Sequence, residues 1–338
     1  MEDFTKIWDN LNTAIFTATV KNKKNPEQVF NAFIKILSDS GSNTFGISDK
    51  LQKQMFEREG KFYIEFLSEA TKLAKNINGF GLFFPKLYHF SMDPMIIITE
   101  NMAPKGFDKN TENYSLAQSQ LLFEHLARFH ALSYYIHHEL KRDLSVYENF
   151  LCKESSEHIS IALGAYKLLM EVGNDWDGGP EFVEKMRKFE PHYYSTMRNL
   201  MTIDASEDQQ ILVLTHGDCH KHNYLFRNNM EDCSIIDHQL VSWLSPGVDL
   251  IASFNTFCEP EVNINSRDYL LKCYHREFKH LFYWTAYCPL ASIDTSSENS
   301  KSYAERFRDA LDHPRQRKLA KFFPTFLNRG YLDYEENI

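Results

Sequence analysis

The stretch "LTHGDCHKHNYLF", residues 214–226, constrains this chain more than any other. An apolar run leads into one acid, three histidines and an asparagine, and a second short apolar run follows. "SIIDHQ" then ends another apolar run on an acid. The polar turn "RNNMED" between the two runs predicts a hairpin. Asp218, Asn223 and Asp237 then lie beside short strands. Phosphate and metal chemistry, an ordinary polar turn, and a Cys/His metal site are the three readings that this pattern admits.

The chain has 338 residues, 43% of them hydrophobic. That is long for one compact domain, so two lobes are the default expectation. A formal net charge of −9 disfavours nucleic acid as the main partner, because a polyanion calls for a basic surface. Cys152, Cys219, Cys233, Cys258, Cys273 and Cys288 form no CxxC pair. The opening "MEDFTKIWDN" is acidic and amphipathic, unlike a signal peptide. No apolar run approaches the roughly 20 residues that a membrane span needs. The expectation is a reduced, cytoplasmic protein with no membrane partner. Oligomeric state is not written in the sequence.

Strands are predicted over 13–20 and 29–37, joined by the polar turn "NKKNPEQ". A helix from about Lys50 to Lys75 follows, with Met55, Phe56, Phe62, Tyr63, Phe66 and Leu67 on one stripe. "FFPKLYHF" and "PMIIITENM" read as two further strands, and "APKGFDKNTENY" as a polar connection at the lobe boundary. From Ser115 the pattern is mainly helical, with Leu122, Leu126, Phe129 and Ser133 sharing a face. Helical patterns recur near 157–172, 181–201, 266–286 and 303–327, and "PGVDLIASF" starts another with Pro246 near its first turn.

Lys35 sits near the end of an apolar strand, where a lysine is costly unless paired or reaching water. Glu59 lies four residues after Met55 and four before Tyr63, so it projects from the apolar stripe of its helix. An acid there needs a partner, and Lys35 is the available one. Glu57 points to the solvent side. His216, two residues before Asp218, and Asp249 in "SPGVDL" could hold the Asp218 loop by side-chain hydrogen bonds. A packed histidine and a helix-start acid explain them equally well.

The ordered set of motifs resembles the aminoglycoside phosphotransferase and choline kinase-like group. It is more closely similar to the ecdysteroid kinase-like (CHK kinase-like) family. "FIKIL", "MFEREGKFY", "FPKLYHF", "IIITENM", "LARFHALS", "LTHGDCHKHNYLF", "SIIDHQ" and "SPGVDL" carry the likeness, in family order, from about residue 10 to 255. It implies an α+β, bilobal protein kinase-like fold. Residues 1–103 would form a small β-rich lobe with one main helix, and 104–338 a larger, mostly helical lobe. The cofactors implied are ATP and Mg2+, and the partner is a small molecule bearing a hydroxyl. Lys35 becomes the phosphate lysine and Glu59 its partner. Glu100, Asn101 and Met102 become the hinge facing adenine, and Asn10 belongs to the first nucleotide loop. Asp218 becomes the catalytic base supported by His216, with Asn223 and Asp237 as metal ligands. Family members act on steroid hormones or are linked to detoxification of foreign compounds.

The chain departs from the family pattern at Trp8, which stands where a glycine is expected. His220 replaces a common tryptophan, and His238 a usual aromatic. The short N-terminus leaves little room for an early strand. A pseudokinase with a ligand-binding or regulatory role is one rival, which Trp8 favours and the intact acids oppose. A zinc site drawn from His216, Cys219, His220, His222, Cys233 and His238 is another, but the spacing matches no standard knuckle. A protein kinase is a third, against which the APE signature is absent after Asp237.

Overall fold

The computed structural model describes residues 3–10, 13–22, 24–37, 48–75, 84–109, 112–149, 157–175, 179–200, 211–227 and 232–291. The predicted helix at 303–327 lies outside them.

The N-terminal part is a five-stranded antiparallel sheet in the order β1-β2-β3-β5-β4. Its strands are β1 Asp3–Asn10, β2 Thr13–Asn22, β3 Asn25–Leu37, β4 Leu87–Met92 and β5 Met95–Glu100. The early strand is present after all, and β1 pairs along β2. Its sequence alternates weakly, so pairing with β2 fixes it more than its own pattern does. Lys35 faces Ile15 on one side and Ile97 on the other, which embeds its backbone in mid-sheet.

α1 (Asp49–Lys61) starts at an N-cap, where the Ser48 hydroxyl accepts from the Leu51 amide. A π-helical turn, Phe62–Leu67, continues it into α2, Ser68–Lys75. The six stripe residues predicted for this helix are all buried. They split between two cores. Phe56 packs under the sheet with Leu37 and Ile97. Phe62, Tyr63, Phe66 and Leu67 join the large cluster built by the following helices. Gly60 marks the crossover, since a Cβ there would run into the Phe90 ring.

The C-terminal part is mostly helical. α3 (Leu116–His138) opens with a full capping box, Ser115 with Gln118. α4 (Glu157–Val172), α5 (Gly179–Leu200), α6 (Gly247–Thr256), α7 (Pro260–Asn265) and α8 (Arg267–Ala291) complete the helices among the described residues. Leu122, Leu126, Phe129 and Ser133 of α3 are fully buried.

Short strands lie between the helices. β8 (Tyr224–Arg227) and β9 (Asp232–Ile235) form the predicted hairpin. Two strands escaped the sequence pattern. β6 (Phe107–Lys109) lies inside the stretch read as a polar connection and pairs with β8. β10 (Ser242–Leu244) pairs with β7, Val213–Thr215. Each has three residues, too few to show alternation. No described helix is long and apolar enough to cross a membrane.

His125 on α3 is buried, and its Nε2 has no partner. Burial, with Arg128 nearby, pushes its pKa down to about 3. The unfolded chain therefore takes up a proton here before the folded one does as pH falls. Stability is complete above pH ~6.5 and declines below it, by about 1.4 kcal/mol per pH unit for this group. Denaturant midpoints at pH 7 and pH 5 should show a smaller loss for His125→Phe than for the parent. An equal loss would exclude His125 as a source of the slope.

Candidate active site

Three charged side chains from distant segments meet at the sheet. Lys35 Nζ donates to Glu59 Oε2 at 2.7 Å and to Asp237 Oδ1 at 2.9 Å. Burial alone would depress the ammonium, but Asp237 and Glu59 outweigh it and hold its pKa above the lysine value. Burial raises Glu59, against the pull of Lys35 and, more weakly, of the nearby His238 backbone N–H. Glu57 sits outside this contact and pairs with Lys61.

Asp237 takes up φ 65°, ψ 67°, in the left-handed region. Aspartate tolerates that conformation better than most residues, and such outliers concentrate at functional sites. The residue after it is fully buried. The His238 ring stacks on Phe62 at 4.1 Å and 11°, with Tyr63, Phe84 and His216 around it. Burial holds it neutral, and neither ring nitrogen has a partner.

The second group lies on the loop after β7. Asn223 Nδ2 donates to the Asp218 carbonyl at 3.0 Å and to its carboxylate at 3.2 Å. That commits the amide nitrogen and leaves Oδ1 for another ligand. The Asn223 carbonyl accepts from Ile236 N–H at 3.0 Å, so Asn223 and Asp237 flank the open end of the β8–β9 hairpin. His216 Nδ1 accepts from Asp218 N–H at 3.3 Å, and its Nε2 bonds the Ile236 carbonyl at 3.0 Å. One ring thus ties the Asp218 loop to the approach to Asp237, with its proton assigned to Nε2 by those partners.

Asp249, buried at the start of α6, closes the loop from behind. Its carboxylate accepts from His216 N–H at 2.6 Å and Gly217 N–H at 2.9 Å. His130 Nε2 reaches the same carboxylate at 3.0 Å, and His130 Nδ1 meets the Tyr274 hydroxyl at 2.8 Å. Burial would raise Asp249, but these donors hold it below the usual carboxylate range. Gly217 has φ +79°, and a Cβ there would strike the Leu240 carbonyl. No part in holding this loop was read for His130 or Tyr274 in the sequence. His130 stood inside the quoted "LARFHALS", whereas Tyr274 gave no signal beyond a helical aromatic.

His220, read as a departure from tryptophan and as one member of the zinc set, belongs to this second group. Its Nδ1 accepts from His222 N–H at 3.2 Å, which assigns the ring proton to Nε2. Nε2 then lies 3.4 Å from Asp218 Oδ2. Nε2 also approaches Asn223 Nδ2 at 3.1 Å. The amide has its own acceptors on Asp218, so the imidazole N–H belongs to the carboxylate. Burial raises Asp218, but the hydrogen bond from His220, with help from His216 and Asn223, holds it below the usual range and therefore ionised. His220 in turn is raised by that bond.

The remaining predicted residues lie apart. Glu100 ends β5 opposite Ala32, three positions along the strand from Ile97 and hence ~10 Å from the Lys35 rung. Its carboxylate pairs with Lys105. The Glu100 and Asn101 amides donate to the Lys86 and Asn31 carbonyls, whereas the Met102 amide has no partner among the described residues. Asn10 ends β1 opposite Thr13, and Trp8 lies within β1 opposite Ile15 rather than in the turn. The side chains of both lie outside the described residues. Among the described residues, no group of three or more His, Cys, Asp and Glu could hold a metal ion. The six-residue zinc reading therefore gains no support, and Cys219 and Cys233 are buried free thiols.

The ecdysteroid kinase-like family model matches residues 8–283. The chain belongs to that family. It is thus a kinase-like protein of the small-molecule type. No curated protein sequence matches it. Among solved structures it is similar to the streptomycin–ATP–APH(2″)-IIa ternary complex, at 13% identity and TM-score 0.44 over 92% of this chain and 91% of that one. The Plasmodium vivax ethanolamine kinase is 14% identical, with TM-score 0.42 over 94% and 83%. The Cryptosporidium parvum Iowa II choline kinase is 13% identical, with TM-score 0.42 over 97% and 92%.

His238 replaces the usual aromatic of the ecdysteroid kinase-like family with a ring whose two buried nitrogens find nothing. An unsatisfied buried polar group costs about 1–3 kcal/mol. His238→Phe should therefore raise unfolding free energy at pH 7 by about 1–2 kcal/mol. An unchanged or lower denaturant midpoint would mean that the imidazole is satisfied after all.

Proposed function

We propose that this protein is an ATP- and magnesium-dependent kinase. It transfers the γ-phosphoryl group to an alcohol hydroxyl of a small molecule, and the acceptor is an ecdysteroid or a hydroxylated or glycosylated xenobiotic. The observation that carries the proposal is the bond from Lys35 to Asp237, which closes a gap of 202 residues. It puts the strand cation beside the acid that ends the hairpin.

In this reading Asp218 orients the acceptor hydroxyl and takes its proton. The new bond forms between that oxygen and the γ-phosphorus while the bond to the leaving ADP oxygen breaks. Lys35, anchored by Glu59, neutralises phosphate charge. Adenine would take the free Met102 amide and the Glu100 carbonyl at the hinge. Asn223 Oδ1 and Asp237 Oδ2 have no protein partner among the described residues and are hard oxygen donors. They suit magnesium, which takes one or two protein ligands and completes its shell with phosphate and water. Bound there, magnesium would offset charge on the transferring phosphoryl group. A reducing, cytoplasmic setting suits the buried free thiols at Cys219, Cys233, Cys258 and Cys273.

ATP consumption with magnesium, measured against a panel of hydroxylated steroids and phenolic glucosides, tests the reading. Asp218→Asn should lower turnover by about 100-fold or more while leaving ATP binding nearly intact. Parental turnover in that variant would refute the role of Asp218. MgATP bound tightly without product from any acceptor would favour the pseudokinase reading. Asp237→Ala should weaken magnesium-dependent ATP binding by about ten-fold or more, since it removes a charged ligand. Unchanged affinity would remove Asp237 from the metal site.

A further inference from the structure

Arg58 precedes Glu59 on α1 but takes no part in the lysine contact. Its Nη1 donates to the Val241 carbonyl at 3.0 Å and approaches Ser242 Oγ at 3.4 Å. Those acceptors stand four and five residues beyond Asp237. Consecutive residues of α1 thus reach the same segment. Arg58 takes Val241, while Glu59 lies close enough to the His238 backbone for that N–H to favour its charged form. One turn on, Phe62 stacks on the His238 ring.

Beside Arg58, which helps to line it, an open cleft runs along the polar face of the helix. This cavity of about 460 Å³ separates the helix from the 146–148 segment, lined by Glu57, Lys61, Glu65, Val146, Glu148 and their neighbours. Val146 and Tyr147 are the apolar residues there, and the rest are charged or amide side chains. The cavity is bridged at its rim. The Tyr147 hydroxyl donates to Glu65 at 3.4 Å, and Trp243 N–H donates to the Tyr147 carbonyl at 2.8 Å.

We propose that Arg58 is a positioning residue: it clamps α1 to the strand after Asp237, and so sets the spacing of the two acids that receive Lys35. Lys35 comes from the sheet, whereas Glu59 and Asp237 come from α1 and the hairpin exit. With the clamp in place, the two acids form one preset receptor for the ammonium. Without it α1 can rock away from the hairpin exit, and Glu59 leaves Lys35 while every residue of the triad is intact. Arg58 itself touches neither phosphate nor acceptor. The functional side of this inference rests on the kinase reading; the mechanical side does not.

The test is a double-mutant cycle on MgATP affinity by calorimetry, run beside hydrogen exchange of the ligand-free protein. Arg58→Gln should weaken MgATP about ten-fold, the usual scale for a lost charged hydrogen bond. Arg58→Lys, which can still reach one carbonyl, should recover most of the loss. Because Arg58 acts through Glu59, the Arg58→Gln, Glu59→Gln double variant should bind no more weakly than Glu59→Gln alone. Amides of 49–61 should exchange faster in Arg58→Gln than in the parent, with exchange in α3 unchanged. Multiplying losses in the double variant would overturn the proposal, as would parental exchange of 49–61. If the parent binds no MgATP, the kinase reading fails, and the exchange comparison alone decides whether Arg58 clamps α1.

Discussion

A buried ammonium between two carboxylates is the constraint on which the rest of the structure depends. Removing Glu59 and most of Lys35 from water costs several kcal/mol per ion before any attraction is counted, whereas Asp237 stays 30% exposed. The contact is tenable only if all three arrive together in good geometry. That requirement reaches far along the chain. β3 must hold Lys35 mid-sheet between Ile15 and Ile97. α1 must present Glu59 from an otherwise apolar stripe. The backbone must turn through the left-handed region at Asp237, a conformation that the lysine bond and the stacked His238 help to hold.

A second polar hub holds the opposite wall without a charged lysine. Asp249 is the hub, and it gathers two loop amides and one imidazole. Through His130 it connects to Tyr274 on α8, and through His216 to the Ile236 carbonyl. The Asp218 loop is therefore suspended from helices rather than from its neighbouring strands. Its position is set by buried polar bonds to packed elements, which suits the base proposed at Asp218. Gly217 belongs to the same logic: the close approach of Leu240 and the positive φ exclude a side chain where the loop turns toward Asp218.

Much of this could be read from the chain because the cues were local or were forced by cost. Glu59 broke an apolar stripe, which demanded a cation, and Lys35 was the cation on an apolar strand. The hairpin that brings Asn223 beside the approach to Asp237 followed from two apolar runs and a polar turn. What escaped had no local cue. β6 and β10 are three residues long and exist by pairing alone. β1 depends on the register that β2 offers. Tyr274 matters through one hydroxyl meeting one imidazole across 144 residues, and no sequence period encodes such a contact. The split of the α1–α2 stripe between two cores is equally tertiary, since periodicity names a buried face but not what buries it.

The two imidazoles that replace family aromatics show why a substitution has no meaning apart from its surroundings. His220 stands on a partly exposed loop, where the His222 amide fixes its tautomer and Asp218 receives its N–H. There the change adds a donor to the proposed base and helps keep it ionised. His238 stands among Phe62, Tyr63 and Phe84, where nothing polar answers either nitrogen. There the ring keeps the shape and stacking of an aromatic but gives up hydration. Both changes leave the Lys35–Glu59–Asp237 contact and the Asp218–Asn223 contact in place. Of two imidazoles read as departures, one gains a polar partner and the other has none.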